Sequence, residues 1–265
     1  MLLNLGYSIG HSLRGAPYDF RKGPEEQSVY FKKLKSLIEE TYAINGNKKV
    51  IILCHSMGAL MSEILLHQQT QEWKDKYIKS LVTISGAWGG FVNILRTYTN
   101  GAYYSGYILN ASSTYSSVPW LIPHPFIWNF DEVLVETSTK NYSLNNIKDY
   151  FIDVNKEDAW ELYKNINPYL ENDHIPLGVE LHCIYGYGIP TVKKIYFDKG
   201  TFPNALPVLI KGDGDGIVNK RSLRACAYWM KLQNQPIYLV PIKGGGHALI
   251  LQNNSTLEYI KNLLI

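Results

Sequence analysis

The sequence predicts one large α/β domain built on a mainly parallel sheet and interrupted by an inserted segment, and three observations carry that expectation. Short apolar runs of buried-strand character alternate with amphipathic stretches through residues 1–90. The periodicity breaks across residues 91–176, where Tyr, Trp, Ser, Asn and Pro crowd together. From residue 177 strand signals return between helical stretches. Residues 1–90 and 177–265 are therefore expected to form the core and 91–176 a cap. With 265 residues and 46% hydrophobic content, the chain can bury a sizeable core.

Taken in order, Gly23-Pro24-Glu25-Glu26 marks a helix start, after which Phe31, Leu34, Ile38 and Tyr42 recur at helical spacing until Asn45-Gly46-Asn47 breaks the pattern. Val50-Ile51-Ile52-Leu53 is a continuous apolar run, as expected of a central parallel strand buried on both faces. A helix rich in Met, Leu and Ile is expected from about Gly58 to Gln68, another over Trp73 to Ile78, and a strand at Leu81-Val82-Thr83-Ile84. The middle segment, with clusters such as Val118-Pro119-Trp120-Leu121-Ile122-Pro123, suits a cap rather than a sheet layer. Strands are expected again at Val179 to Tyr185, Leu206 to Ile210 and Ile237 to Val240, with helices around Ser222 to Leu232 and Leu249 to Leu264.

Composition excludes several classes of function. A net charge of +3 with scattered Lys and Arg cannot make the basic stripe that nucleic-acid binding needs. No stretch approaches the roughly 18 to 20 consecutive apolar residues of a membrane span. Three cysteines, Cys54, Cys183 and Cys226, permit at most one internal disulfide, and by count alone three buried free thiols are the commoner arrangement. Asn110, Asn141, Asn253 and Asn254 head N-x-S/T sequons, which arise often by chance.

The sharpest chemical feature is Cys54-His55-Ser56-Met57-Gly58, directly after the buried strand and before a helix. A nucleophile elbow sits in that context: small flanking residues let a tight strand-to-helix turn lift the serine hydroxyl out of the sheet. A serine hydroxyl needs a base, and the base needs an acid to orient it. Of the seven histidines, His247 alone lies on a glycine loop, Gly244-Gly245-Gly246, after a strand and before the last helix, where a base belongs in the order serine, acid, histidine. His55, adjacent to the serine, is expected to point away from it. The acid is expected in Gly212-Asp213-Gly214-Asp215-Gly216, which offers two candidates, Asp213 and Asp215. The same Asp/Gly alternation suits a calcium loop, but no EF-hand ligand series or closing Glu follows. Nor do Cys and His cluster at zinc spacing, so no metal or cofactor is expected.

Together these residues resemble the lecithin:cholesterol acyltransferase family, and within it the lysosomal phospholipase A2 branch. The resemblance runs through Ala16-Pro17-Tyr18-Asp19-Phe20-Arg21, the elbow with Trp73-Lys74-Asp75, Gly86-Ala87-Trp88-Gly89-Gly90, Leu181-His182-Cys183-Ile184-Tyr185-Gly186, the Gly-Asp-Gly-Asp-Gly loop and Gly246-His247. It implies an α/β-hydrolase fold with an inserted cap and a serine acyl-ester hydrolase or O-acyltransferase acting on glycerophospholipids. It points to Asp215 as the acid beside Ser56 and His247, leaving Asp213 as a turn residue. It also implies a Cys183–Cys226 disulfide, hence an oxidising compartment, lysosomal or secreted, with glycans on Asn141 and Asn254. Phospholipid is the implied substrate, water or a lipid alcohol the acyl acceptor, and a membrane or lipoprotein surface the place of work. Trp88, Trp120, Phe126 and Trp128 would add apolar walls for acyl chains.

Two departures from the family pattern carry expectations of their own. Ala87 stands where the family usually has Pro, a change that removes a constraint without adding bulk. Family members also carry an N-terminal region with the first strands, an oxyanion-hole loop and a membrane-binding element, and this chain is expected to begin after them. The Met57 N–H then supplies one oxyanion donor, and the second is expected upstream. Two other functions fit less of the pattern: a phosphatidylcholine-sterol O-acyltransferase, and a non-catalytic lipid-binding fragment.

Overall fold

A computed structural model of the protein describes residues 1–99 and 111–264. The principal sheet is parallel throughout, in the order β1 (Val50–His55), β2 (Ile78–Ile84), β5 (Leu181–Tyr187) and β8 (Ile237–Lys243). Period-two alternation sends Leu81, Leu181 and Cys183 to one face, where α1 (Ser28–Ile44) and α2 (Gly58–His67) pack with Phe31, Leu34, Leu60 and Leu65. Val82, Ile84 and Ile184 face the other way, onto Ile250 and Ile260 of the C-terminal segment ending in α8 (Asn254–Leu264). Burial on both faces is why β2 and β5 read as apolar runs, whereas β1, expected as a central strand buried on both faces, is an edge of the sheet with Leu53 exposed, and β8 is the other edge. α3 (Gln71–Tyr77) begins at Thr70, whose side chain caps the helix by accepting from the Trp73 N–H.

A second, smaller sheet runs β4 (Asn141–Tyr142), β3 (Val135–Glu136), β6 (Ile189–Tyr196) and β7 (Val208–Gly214). The segment expected as a cap without a sheet layer thus supplies two two-residue strands, and β3 pairs in parallel with β6. The Leu206 to Ile210 run forms a strand in this sheet, antiparallel to β6, and not in the parallel one. The insert also holds α4 (Ser117–Trp120), α5 (Ile147–Asp153) and α6 (Glu157–Leu170). Val92, Leu95, Trp128, Tyr150, Phe151 and Phe197 fill its own core. The helix expected at Ser222 to Leu232 is a four-residue α7 (Lys220–Leu223) followed by a 3-10 turn over Ala225–Lys231.

Every strand of the principal sheet runs in one direction, so their C-terminal ends meet at one edge. Ligand and catalytic groups of open α/β sheets gather at such an edge. Here it gathers the loops after β1, β2, β5 and β8.

Candidate functional site

Ser56 follows β1 at φ 54°, a left-handed conformation that costs a non-glycine residue energy unless its surroundings hold it. The Ser56 N–H donates to the Ile84 carbonyl at 3.0 Å and its own carbonyl accepts from the Ala59 N–H at 3.1 Å, so β2 and the first turn of α2 fix the elbow. Smallness matters two residues on: a Cβ on Gly58 would sit 3.1 Å from Cys54 Cβ, tighter than ordinary contact. Gly58 thereby makes room for a cysteine at the elbow's first position. That Cys54 is a free thiol, pushed up to about 12 by burial. Met57 is the N-cap of α2, at the end where the helix dipole favours negative charge.

His247 lies on the loop after β8, in which Gly244 adopts φ 70°. Its Nε2 stands 2.9 Å from Ser56 Oγ and its Nδ1 2.7 Å from Asp215 Oδ2. The Asp215 side chain is fully buried, and its Oδ1 accepts the N–H groups of Ile217 at 3.1 Å and Val218 at 2.8 Å. One carboxylate oxygen is held by the main chain while the other faces the imidazole, an arrangement that orients the ring and can stabilise an imidazolium. The main chain reinforces it, because the His247 N–H donates to the Asp215 carbonyl at 2.9 Å.

Asp213 does not sit in a turn. It belongs to β7, accepts the Gly188 N–H at 2.6 Å and pairs with Lys220 Nζ at 2.6 Å. The lysine's hydrogen bond, first of all, holds its carboxyl below the usual range. His55, beside the serine, makes a contact that the sequence reading did not anticipate. Its Nε2 reaches the His247 carbonyl at 2.8 Å, and the two rings lie 4.9 Å apart. Burial, first of all, lowers the His55 pKa from its ordinary value.

Elsewhere Cys183 and Cys226 are joined in a disulfide that ties β5 to the 3-10 turn packed on its face. Asn141 and Asn254 are both exposed, the first in β4 and the second at the start of α8, whereas Asn110 lies outside the described residues. Trp88, Trp120 and Trp128 are buried in the cores, and partly buried Phe126 packs against Tyr228 with ring centroids 5.1 Å apart. A cleft of about 450 Å³ lies within the insert, lined by Phe130, Ile147, Trp160 and Tyr163; neither Ser56 nor His247 borders it. Among the described residues, no three potential metal ligands cluster, and no helix is long and apolar enough to cross a membrane.

The family model described as lecithin:cholesterol acyltransferase matches residues 1–174 and 161–254. The chain belongs to that family. Among curated relatives of this family, the human "Lysosomal phospholipase A and acyltransferase" is 36% identical over 270 residues, a match covering 100% of this chain and 65% of that protein. The mouse (Mus musculus) "Phosphatidylcholine-sterol acyltransferase" is 34% identical over 271 residues, covering 100% of this chain and 61% of that protein. The chain therefore spans less than two thirds of the length of either. A solved structure, the Tle4–Tli4 complex, superposes with a TM-score of 0.61 at 12% identity, covering 91% of this chain and 65% of that one. This likeness concerns the fold, an α/β-hydrolase.

Proposed function

We propose that this family member is a serine acyl-ester hydrolase and O-acyltransferase acting on glycerophospholipids, with Ser56 as nucleophile, His247 as base and acid, and Asp215 as the group that orients and stabilises the imidazolium. The observation that carries the reading is the continuous relay from buried Asp215 through His247 to Ser56, at 2.7 and 2.9 Å. Ser56 Oγ attacks the ester carbonyl while His247 Nε2 takes its proton. The oxyanion of the tetrahedral intermediate accepts from the Met57 N–H, next to the nucleophile at the positive end of α2. Collapse breaks the ester C–O bond, and His247 returns the proton to the departing lysophospholipid oxygen. Water or a lipid alcohol then gives its proton to His247 and attacks the acyl carbon, and the second intermediate collapses by breaking the acyl–Oγ bond as His247 returns that proton to Ser56 Oγ.

Lipid presented at a membrane or lipoprotein surface is the substrate form this reading requires. The Cys183–Cys226 disulfide supports a lysosomal or secreted location, because disulfides persist in oxidising compartments. The names of the relatives support phospholipid as acyl donor. Incubation with phosphatidylcholine vesicles, with and without a long-chain alcohol or cholesterol, tests the activity and ranks the acceptors. Fatty acid release or ester formation that Ser56→Ala abolishes, with a fluorophosphonate labelling Ser56, is expected. Undiminished turnover in Ser56→Ala, or labelling elsewhere, refutes it.

A further inference from the structure

We propose that His55 is a positioning residue for the base: its Nε2–H donates to the main-chain carbonyl of His247 and references the loop carrying the imidazole to the strand carrying the nucleophile. The inference rests on the triad reading above and extends it to a residue outside the triad.

His247 follows three glycines, Gly244-Gly245-Gly246, which offer no side chain to pin the loop. Two contacts tie it to Asp215, through its own N–H at 2.9 Å and its Nδ1 at 2.7 Å. Those bonds fix base to acid, yet both belong to one side of the relay. The carbonyl of His247 completes the frame on the other side by receiving His55 Nε2 at 2.8 Å. His55 is the last residue of β1 and precedes Ser56 directly. A shift of the main chain at His247 relative to β1 therefore strains this bond as it changes the 2.9 Å separation of His247 Nε2 and Ser56 Oγ.

A carbonyl only accepts, so His55 must carry a hydrogen on Nε2. The neutral ring does this as its Nε2–H tautomer, and burial, which lowers the His55 pKa, favours the neutral ring. With the two rings 4.9 Å apart, a neutral His55 also avoids placing a second positive charge beside His247 when that ring takes the serine proton.

Two variants of the full chain separate the donor from the ring. His55→Phe keeps an aromatic ring and removes the N–H; His55→Gln keeps an N–H in place of Nε2. Measured on p-nitrophenyl butyrate, His55→Phe is expected to lose about 10- to 100-fold in kcat with KM nearly unchanged, and His55→Gln to recover most of the loss. Nitrogen NMR of the histidine-labelled, unaltered chain is expected to find neutral His55 as the Nε2–H tautomer. Unchanged kcat in His55→Phe, His55→Gln as impaired as His55→Phe, or a neutral Nδ1–H tautomer would each overturn the proposal. If His55→Phe does not fold, the tautomer of the unaltered chain decides. Failure of the triad reading looks different, since Ser56→Ala would then keep its turnover whatever tautomer His55 adopts.

Discussion

Asp215 Oδ2 stands 2.7 Å from His247 Nδ1, while Asp213, two residues earlier, spends its carboxylate on Lys220 and the Gly188 N–H. The two acids of one glycine-rich run, the first in β7 and the second just beyond it, therefore face different partners. Asp215→Asn is expected to cut kcat by about 10³- to 10⁴-fold, because the amide cannot stabilise the imidazolium and invites the wrong tautomer. Asp213→Asn breaks an exposed ion pair and is expected to change kcat by less than about threefold. Parallel kinetics on phosphatidylcholine vesicles check the order, and a larger loss from Asp213→Asn would move the acid.

The disulfide gives a second prediction. Cys183 and Cys226 are 43 residues apart, and closing a loop of that length stabilises by about 4 kcal/mol in the chain-entropy estimate. Cys226→Ser is expected to lower unfolding free energy by about that amount in urea titrations. Peptide mapping without reductant should return the Cys183–Cys226 pair, with Cys54 as the alkylatable residue once the chain is unfolded.

Gly186 gives a third. Its backbone lies so close to the His247 loop that a Cβ there would collide with the Gly245 carbonyl oxygen and reach within 3.1 Å of Asp215 Cβ. Gly186→Ala must therefore displace the base, the acid or both. It is expected to cost about 1 to 3 kcal/mol of stability and at least about tenfold in kcat. Thermal melts and kinetics that match the unaltered chain would show that the loop tolerates the added carbon.

Legibility in the sequence followed the regularity of the local structure. β2 and β5 lie inside the parallel sheet, and their two-sided burial writes an apolar run into the chain, while β1 and β8 carry apolar runs at its edges, which is why β1 passed for a central strand. β6 escaped because Pro190 and the Lys193-Lys194 pair spoil period-two alternation, and the ladder itself slips register between Val192 and Lys194. α6 does carry a stripe at helical spacing, Ala159, Tyr163, Ile166 and Leu170, but it holds Pro168 and lies among the aromatic, Asn and Pro residues that marked the segment as irregular. At the site, Ser56 and His247 stand out through their strand-to-helix and glycine-loop contexts. The choice between Asp213 and Asp215 had no local signal, since both are flanked by glycines, and only the resemblance separated them. The sequence gives no sign of the His55 contact, because its partner is the main-chain carbonyl of His247, 192 residues away.

The last prediction concerns pH. His124 is fully buried, with Nδ1 2.6 Å from Asp173 Oδ2 and Nε2 2.7 Å from the Trp120 carbonyl. Burial by itself would lower its pKa, but the charge and hydrogen bond of Asp173, with the Trp120 carbonyl, outweigh that and raise it above the ordinary 6.5. Glu63 of α2 is buried near the same pair; burial first, and then the Asp173 charge, raise its carboxyl well above the ordinary 4.5. In each case the folded protein keeps a proton that the unfolded chain releases once pH exceeds the ordinary value. Stability from these groups is complete below that value and is lost as pH rises toward the raised one. The melting temperature is therefore expected to fall as pH rises above about 4.5, through Glu63, and further above about 6.5, through His124. Glu63→Gln, which is neutral throughout, should flatten the part of the slope that starts near 4.5 and leave the part that starts near 6.5. A melting temperature that rises with pH instead, or a slope that Glu63→Gln leaves untouched, would show that Glu63 does not hold its proton in the folded state.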